Sequence, residues 1–416
     1  MAKVVGKHGE LFSRLCDPEH LIDCARDAAR GKRRRPDVAA FLLDMEPLCF
    51  DLAEELQRGE WRPSGYRTFH IQYPKPRQIS SAPFADRVVH HAIVSILEPY
   101  FERRFVPFSF ACRVGKGTHA ALARASSLSA RRRYVLRGDV TKFFPSIDHA
   151  ILKAQVRRVI GDERMLALLD LVIDGSNAQE PVLDWFPGDD LMTPALRRRG
   201  IPIGNLTSQF LANVLLDVLD HEVMDRLGFG DYVRYCDDFL VFSDDAAALH
   251  HARTAIDGCL SRLRLRLHER KGGIHSTRAP FPFCGFVLRR GVRRLKRDSL
   301  VRATRRLRGL RRAVEAGTAD SKSVSPRIAA WKGHARHVSS PRLVALTLLR
   351  AGYTLLGVDP ITIRTVCCAA AAGTTTPTTV ARRIATTTTP MIPTTISGSV
   401  SPVPRSRAVC ADGAAG

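Results

Sequence analysis

The stretch Asp231-Tyr232-Val233-Arg234-Tyr235-Cys236-Asp237-Asp238-Phe239-Leu240-Val241-Phe242 decides the fold. Short apolar runs flank the tetrapeptide Tyr235–Asp238, which ends in two adjacent carboxylates. The pattern predicts a strand, a tight turn and a second strand. Carboxylates at the tip of a rigid hairpin can hold divalent cations against a phosphate. Alone, an Asp-Asp pair reads more simply as a turn or a helix cap, so a third acidic residue is needed. Asp139 supplies it, at the end of the apolar run Val135-Leu136-Arg137-Gly138-Asp139-Val140 and just before Phe143-Phe144. Asp139 and Asp237 read as the bridging pair, and Asp238 as a weaker third ligand, around two ions about 4 Å apart. An all-oxygen site that keeps waters and substrate phosphates suits magnesium. The chemistry that fits is nucleotidyl transfer.

Charge agrees. The 416 residues hold 64 Lys and Arg against 41 Asp and Glu, a net +23. Such an excess calls for an acidic partner, nucleic acid before a membrane surface. No apolar run is long enough to span a bilayer and no apolar signal core opens the chain, so a cytoplasmic setting without membrane contact is expected. The ten cysteines show no CxxC spacing, and only Cys367-Cys368 are close in sequence. Reduced thiols are expected, with Cys24, Cys49, Cys112 and Cys284 acting mostly as small core hydrophobes.

Outward from the hairpin, residues 10–60 read as helices, with Leu42, Leu43, Met45, Leu48, Leu52 and Leu56 on helical spacing and Gly59 as the stop. Lys32-Arg33-Arg34-Arg35 reads as a basic loop. Residues 66–73 alternate like a strand, and a turn follows that carries Lys75 and Arg77 between prolines. A helix is expected from a cap at Asp86 to just before Pro99, with one of His90 and His91 packing rather than binding metal. Residues 134–140 read as a buried strand, 208–219 and 246–262 as helices, 283–288 as a strand, and 289–312 as a basic amphipathic helix. After residue 357 the Thr/Pro-rich composition cannot bury a core, and disorder is expected.

In this order the motifs resemble the reverse transcriptase family. The resemblance runs from about residue 60 to 290, with a basic thumb to about 345. It rests on the Asp139 segment, on Gly200-Ile201-Pro202-Ile203-Gly204-Asn205-Leu206-Thr207-Ser208-Gln209, on Tyr235–Asp238, on Lys271 and on Phe283-Cys284-Gly285-Phe286. Most of the family places Pro-Gln-Gly where this chain has Pro202-Ile203-Gly204. That departure, with Cys112–His119 and Trp331–His337, is similar to the diversity-generating retroelement branch.

The resemblance implies an α/β (α+β) right-hand polymerase with fingers, an antiparallel-sheet palm and a helical thumb. The parts would be a helical region at 1–60, fingers at 61–130, palm at 131–288 with a fingers insertion near 150–200, thumb at 289–350 and tail at 357–416. It makes Asp139, Asp237, Asp238 and the Val140 carbonyl ligands of two Mg2+ ions, and places Lys271 near the leaving pyrophosphate. Lys75 and Arg77 would hold the triphosphate, and Phe144 would exclude a 2′-hydroxyl. Ile203 and Gly204 would line the nucleotide site, Ser208 and Gln209 the template. Cys284, Gly285 and Phe286 would grip the primer. The implied partners are template RNA, primer and cDNA, dNTPs and a small basic accessory protein oligomer, in a bacterial or phage-encoded system. The resemblance also implies frequent errors opposite template adenine, to which Ile203 is expected to contribute because isoleucine cannot make the hydrogen bonds of a glutamine. A retron or defence-associated enzyme remains open. So does a catalytically dead nucleic-acid-binding polymerase fold. A group II intron protein would need a maturase domain, where only the Thr/Pro-rich tail follows the thumb. Phe144 speaks against an RNA-dependent RNA polymerase.

Overall fold

A computed structural model describes residues 10–353, apart from Tyr73–Lys75, Ala178 and Arg270. Lys75, the Cys367-Cys368 pair and the tail at 357–416 therefore lie outside the described residues. The described chain forms two compact units, one running to Ala279 and one starting at Pro280. Among the described residues no helix is long and apolar enough to cross a membrane.

The first unit opens with α1 (Glu10–Leu15), α2 (Pro18–Ala28), α3 (Pro36–Leu43) and α4 (Met45–Arg58). Asp17 caps α2 by accepting from the Glu19 N–H, and Pro18 fills the first turn, where its missing N–H costs nothing. Gly59 ends α4 in the left-handed conformation, φ 71°. The expected leucine stripe is broken. Asp44, at φ −115° and ψ 35°, separates α3 from α4. Spacing counted across that break no longer describes one face: Leu52 and Leu56 are buried, whereas Leu43 is 85% exposed.

β1 (Arg67–Ile71) and β2 (Arg77–Ser81) form an antiparallel hairpin. α5 (Phe84–Glu102) differs from expectation at both ends. It starts two residues before Asp86, whose carboxylate accepts from the Ser64 N–H at 2.8 Å and so ties down the preceding segment. It also continues past Pro99, which lies inside its last turn. His90 packs inside, its imidazole pushed down to about 4 by burial first and then by His91 and Arg87.

Then come α6 (Thr118–Arg131), β3 (Tyr134–Asp139), α7 (Phe143–Ser146), α8 (His149–Arg157), α9 (Glu163–Asp174), α10 (Thr193–Leu196) and α11 (Leu206–His221). The unit closes with β4 (Tyr232–Tyr235), β5 (Asp238–Ser243), α12 (Ala246–Arg262) and β6 (Gly273–Ser276). The strands make one antiparallel sheet in the order β4-β5-β3-β6. Val135, Leu136, Val233 and Phe239–Phe242 are buried in it, with α6 and α12 packed on its strands. A Cβ on Gly138 would overlap the Phe239 ring. Only glycine lets β3 and β5 close up at the position just before Asp139.

The second unit holds a three-stranded antiparallel sheet of β7 (Phe281–Phe283), β8 (Phe286–Arg289) and β9 (Val292–Leu295), followed by α13 (Arg297–Glu315), α14 (Ser321–Ala335) and α15 (Pro341–Arg350). The strand expected over 283–288 is thus two strands. Cys284 and Gly285, at φ 45° and 81°, make the two-residue turn between them. Arg290 and Gly291, at φ 42° and 82°, make the next turn. The first part of the expected basic helix is therefore β9, and only Arg297 onward is helical. Leu307, Val324, Ile328, Leu348 and Tyr353 form this unit's core.

Candidate active site

Sheet register brings the acidic residues together. Asp139, the last residue of β3, is the direct cross-strand partner of Asp238, the first residue of β5. Tyr235 pairs with the same Asp238 and closes the β4–β5 hairpin, leaving Cys236 and Asp237 as the turn. Cys236 takes φ 57°, the left-handed conformation such turns demand.

Asp237 feels its neighbours. Burial, and then the charge of Asp139, raise its carboxyl above the ordinary carboxylate range, while Arg77 and Lys271 pull it back. One neighbourhood therefore holds Asp139 and Asp237 together with Arg77 of β2 and Lys271. The Lys271 ammonium is paired directly with an Asp139 carboxylate oxygen. Its segment is pinned to the site: the Thr141 N–H donates to the Arg266 carbonyl at 2.8 Å, and the His268 N–H to the Asp139 carbonyl at 2.7 Å. The pyrophosphate role expected for Lys271 thus starts from an amine engaged by Asp139.

Asp139, Asp237 and Asp238 all stand at this end of the sheet, at the β3 terminus and the β4–β5 turn. Among the described residues no three His, Cys, Asp or Glu side chains gather in metal-holding geometry. Val140, the expected source of a ligand carbonyl, is buried and bridges to Leu267. Two repelling carboxylates still suit magnesium, which binds through one or two carboxylates and takes its other oxygens from water and phosphates.

The remaining nucleotide-site residues stand in a connected chain. Phe143 is buried in the core, and Phe144 is half-buried against it, edge-on with ring centres 5.3 Å apart. The Phe144 carbonyl accepts from the Ile201 N–H at 3.1 Å. Two residues on, the Ile203 carbonyl accepts from the Ser80 N–H of β2 at 3.0 Å. Gly204 takes φ 121°, and a Cβ there would lie 3.1 Å from the Ile79 side chain. Arg77, Ile203, Gly204, Phe144 and Asp139 are thereby linked through backbone contacts along β2, the 201–204 segment and the α7 turn.

Asn205 was missed by sequence reasoning. It occupies the N-cap position of α11, yet its side chain donates to the Ser80 carbonyl at 3.1 Å and accepts from the Ala82 N–H at 3.3 Å. It holds the β2 strand to the 201–204 segment. The only available signal was a polar residue placed just ahead of an apolar helical run. Ser208 is not the helix cap, a position Asn205 takes; it lies in the first turn of α11 and is buried. Gln209 is half-buried and accepts from the Cys112 thiol at 3.2 Å. Cys24 and Cys49 are buried as expected, whereas Cys112 and Cys284 are half-exposed at left-handed positions. The Cys112–His119 segment is held by Arg113, whose guanidinium grips Glu102 with two 2.8 Å bonds and the Val106 carbonyl at 2.6 Å. Cys284, Gly285 and Phe286 belong to the second unit. Phe286 is buried there against the His334 ring, with centres 4.8 Å apart.

Comparison with known proteins places this geometry. Residues 72–288 match the family described as reverse transcriptase (RNA-dependent DNA polymerase). Protein YkfC of Escherichia coli K12 is 26% identical over 278 residues, covering 57% of this chain and 70% of that protein. The group II intron-encoded protein LtrA of Lactococcus lactis is 25% identical over 176 residues, 42% of this chain and 28% of LtrA. Nuclear intron maturase 1 of Arabidopsis thaliana is 32% identical over 87 residues, 21% of this chain and 12% of the maturase. The chain therefore spans less than a third of the two intron-related proteins.

Proposed function

This chain belongs to the reverse transcriptase family, whose chemistry is RNA-directed DNA synthesis, and from that premise we propose how its residues act. The four-stranded sheet serves as the palm, the β1–β2 hairpin with its flanking helices as the fingers, and the second unit as a basic thumb. Asp139 and Asp237 hold the divalent cations, with Asp238 beside them. Bound magnesium supplies an activated primer hydroxyl and neutralises charge on the leaving pyrophosphate. Arg77 faces the triphosphate. Lys271 leaves Asp139 as the triphosphate enters, and its ammonium then meets the pyrophosphate. Phe144 fills the space beneath the sugar where a 2′-hydroxyl would stand. The substrates are a primed template RNA and dNTPs, in a bacterial or phage setting. The observation that carries this reading is the sheet register that sets Asp139 across from Asp238 beside the Cys236-Asp237 turn, with Lys271 paired to Asp139.

A pH dependence follows. Because the Asp237 carboxyl is raised, it stays protonated to higher pH than an ordinary carboxylate, and cation binding has to displace that proton. Affinity for Mn2+, followed by electron paramagnetic resonance, falls as pH drops, and the fall begins above the ordinary aspartate range. Lys271 lowers the Asp237 carboxyl. Lys271→Met therefore moves the fall to still higher pH, and an unchanged profile in that variant would contradict the arrangement.

The finer reading is a diversity-generating enzyme that copies its RNA with errors at adenines and works with a small basic accessory protein. Ile203 supports it, since its side chain offers no hydrogen bond to the nucleotide site. An intron-type enzyme is the second reading, favoured by the likeness to LtrA and the maturase. Sequencing cDNA made on an RNA template by the native chain and by Ile203→Gln separates them. Frequent errors opposite adenine that fall about tenfold in the variant support the first. Equal error spectra remove the role of Ile203, and no cDNA at all removes the polymerase reading.

A further inference from the structure

Arg234 is the largest fully buried side chain of the protein's described residues, and it lies just behind the catalytic turn. Its guanidinium makes four short contacts. Nε and Nη2 donate to the two Asp220 carboxylate oxygens at 2.7 and 2.6 Å. Nη1 donates to Asn213 Oδ1 at 3.0 Å and to the Cys236 carbonyl at 3.1 Å. That carbonyl belongs to the peptide joining Cys236 to Asp237, so the bond fixes the plane from which Asp237 starts. Asp220 and Asn213 both lie on α11. The Asp220 carboxylate also accepts from the Tyr232 hydroxyl at 2.7 Å, and Asn213 donates to the Ala111 carbonyl at 2.9 Å. The Arg234 backbone is held as well: its N–H donates to the Phe108 carbonyl and its carbonyl accepts from Phe110, each at 2.9 Å.

We propose that Arg234 is a positioning residue for the reaction: held by Asp220 and Asn213, it fixes the left-handed Cys236 turn and thereby aims Asp237 at the cation site. The inference rests on the polymerase reading above. A buried ion pair contributes little to stability compared with apolar side chains of the same volume, so stability alone does not account for it. The planar fork of arginine serves three acceptors from one position, which a lysine ammonium does not reproduce. Burial and Asp220 push the neighbouring Asp217 carboxyl up to about 7, while His221, Arg234 and Arg104 oppose this.

The test uses the full-length chain with Arg234→Lys, and with the volume-matched Arg234→Met/Asp220→Leu/Tyr232→Phe triple variant. Four quantities are read: melting temperature, primer–template affinity, Mn2+ affinity by electron paramagnetic resonance, and single-nucleotide incorporation. Both variants are expected to fold and to bind primer–template within about twofold of native. Both are also expected to lose at least tenfold in Mn2+ affinity and at least tenfold in incorporation rate. Native Mn2+ affinity in a folded variant would overturn the proposal. So would failure of both variants to fold, which would assign the network to the fold alone. If the native chain makes no DNA, the polymerase reading fails separately, and the Mn2+ comparison still decides the role of Arg234.

Discussion

Asp237→Asn and Asp139→Asn each lower nucleotide incorporation at least about a thousandfold, equivalent to about 4 kcal/mol of transition-state stabilisation. Amides keep the size and hydrogen-bonding reach of the carboxylates but lose the charge that holds a cation. Burial first, and then the Asp139 charge, raise the Asp237 carboxyl, while Arg77 and Lys271 oppose this. Asp237→Asn removes a charge that burial disfavours and is expected to fold at least as stably as the native chain, whereas Asp139→Asn also gives up its ion pair with Lys271. Lys271 loses its partner in Asp139→Asn, so the stability of that variant depends less on salt than that of the native chain. Melting curves and primer–template binding beside single-turnover rates check this. A rate within tenfold of native in either variant would show that the pair does not hold the cation.

Phe144→Ala relaxes the choice of sugar. Its ring is half-buried, set edge-on against the buried Phe143, and its backbone is fixed by the 201–204 segment. On the proposed reading, this ring is what a 2′-hydroxyl would meet. Forcing a group into an already filled site costs about 1–3 kcal/mol, so the variant gains about 5- to 150-fold in ribonucleotide use relative to deoxynucleotide. The dNTP rate should fall only severalfold, because the ring contacts no reacting atom. Competition between dCTP and CTP at one template position reads the ratio directly. An unchanged ratio would return Phe144 to core packing alone.

The site was legible where chemistry and periodicity coincide. The hairpin at 232–243 declares itself by apolar runs around a turn, and the helix at 246–262 by its period and its Asp245 cap. Asp139 was found because a carboxylate ended a buried strand. Legibility failed where one residue type serves two structural ends. Pro99 reads as a stop but is tolerated in a final turn. Asp86 reads as a cap, yet it spends its side chain on a distant backbone, as does Asn205, which no motif singled out. The Cys284-Gly285 turn hid inside an apolar run, because a two-residue turn with positive φ needs no polar residue. Arg234 was invisible for another reason. A charged residue in a strand normally faces solvent, and only its tertiary partners on α11, Asp220 and Asn213, make it a buried one.

The most direct measurement is single-nucleotide incorporation on a primed RNA template by the full-length chain as magnesium is titrated, with Asp237→Asn in parallel. The native chain should extend the primer with dNTPs only when magnesium is present, and the variant should stay at background across the whole titration. Magnesium-independent extension, or extension by the variant at the native rate, would contradict the shared cation site of Asp139 and Asp237.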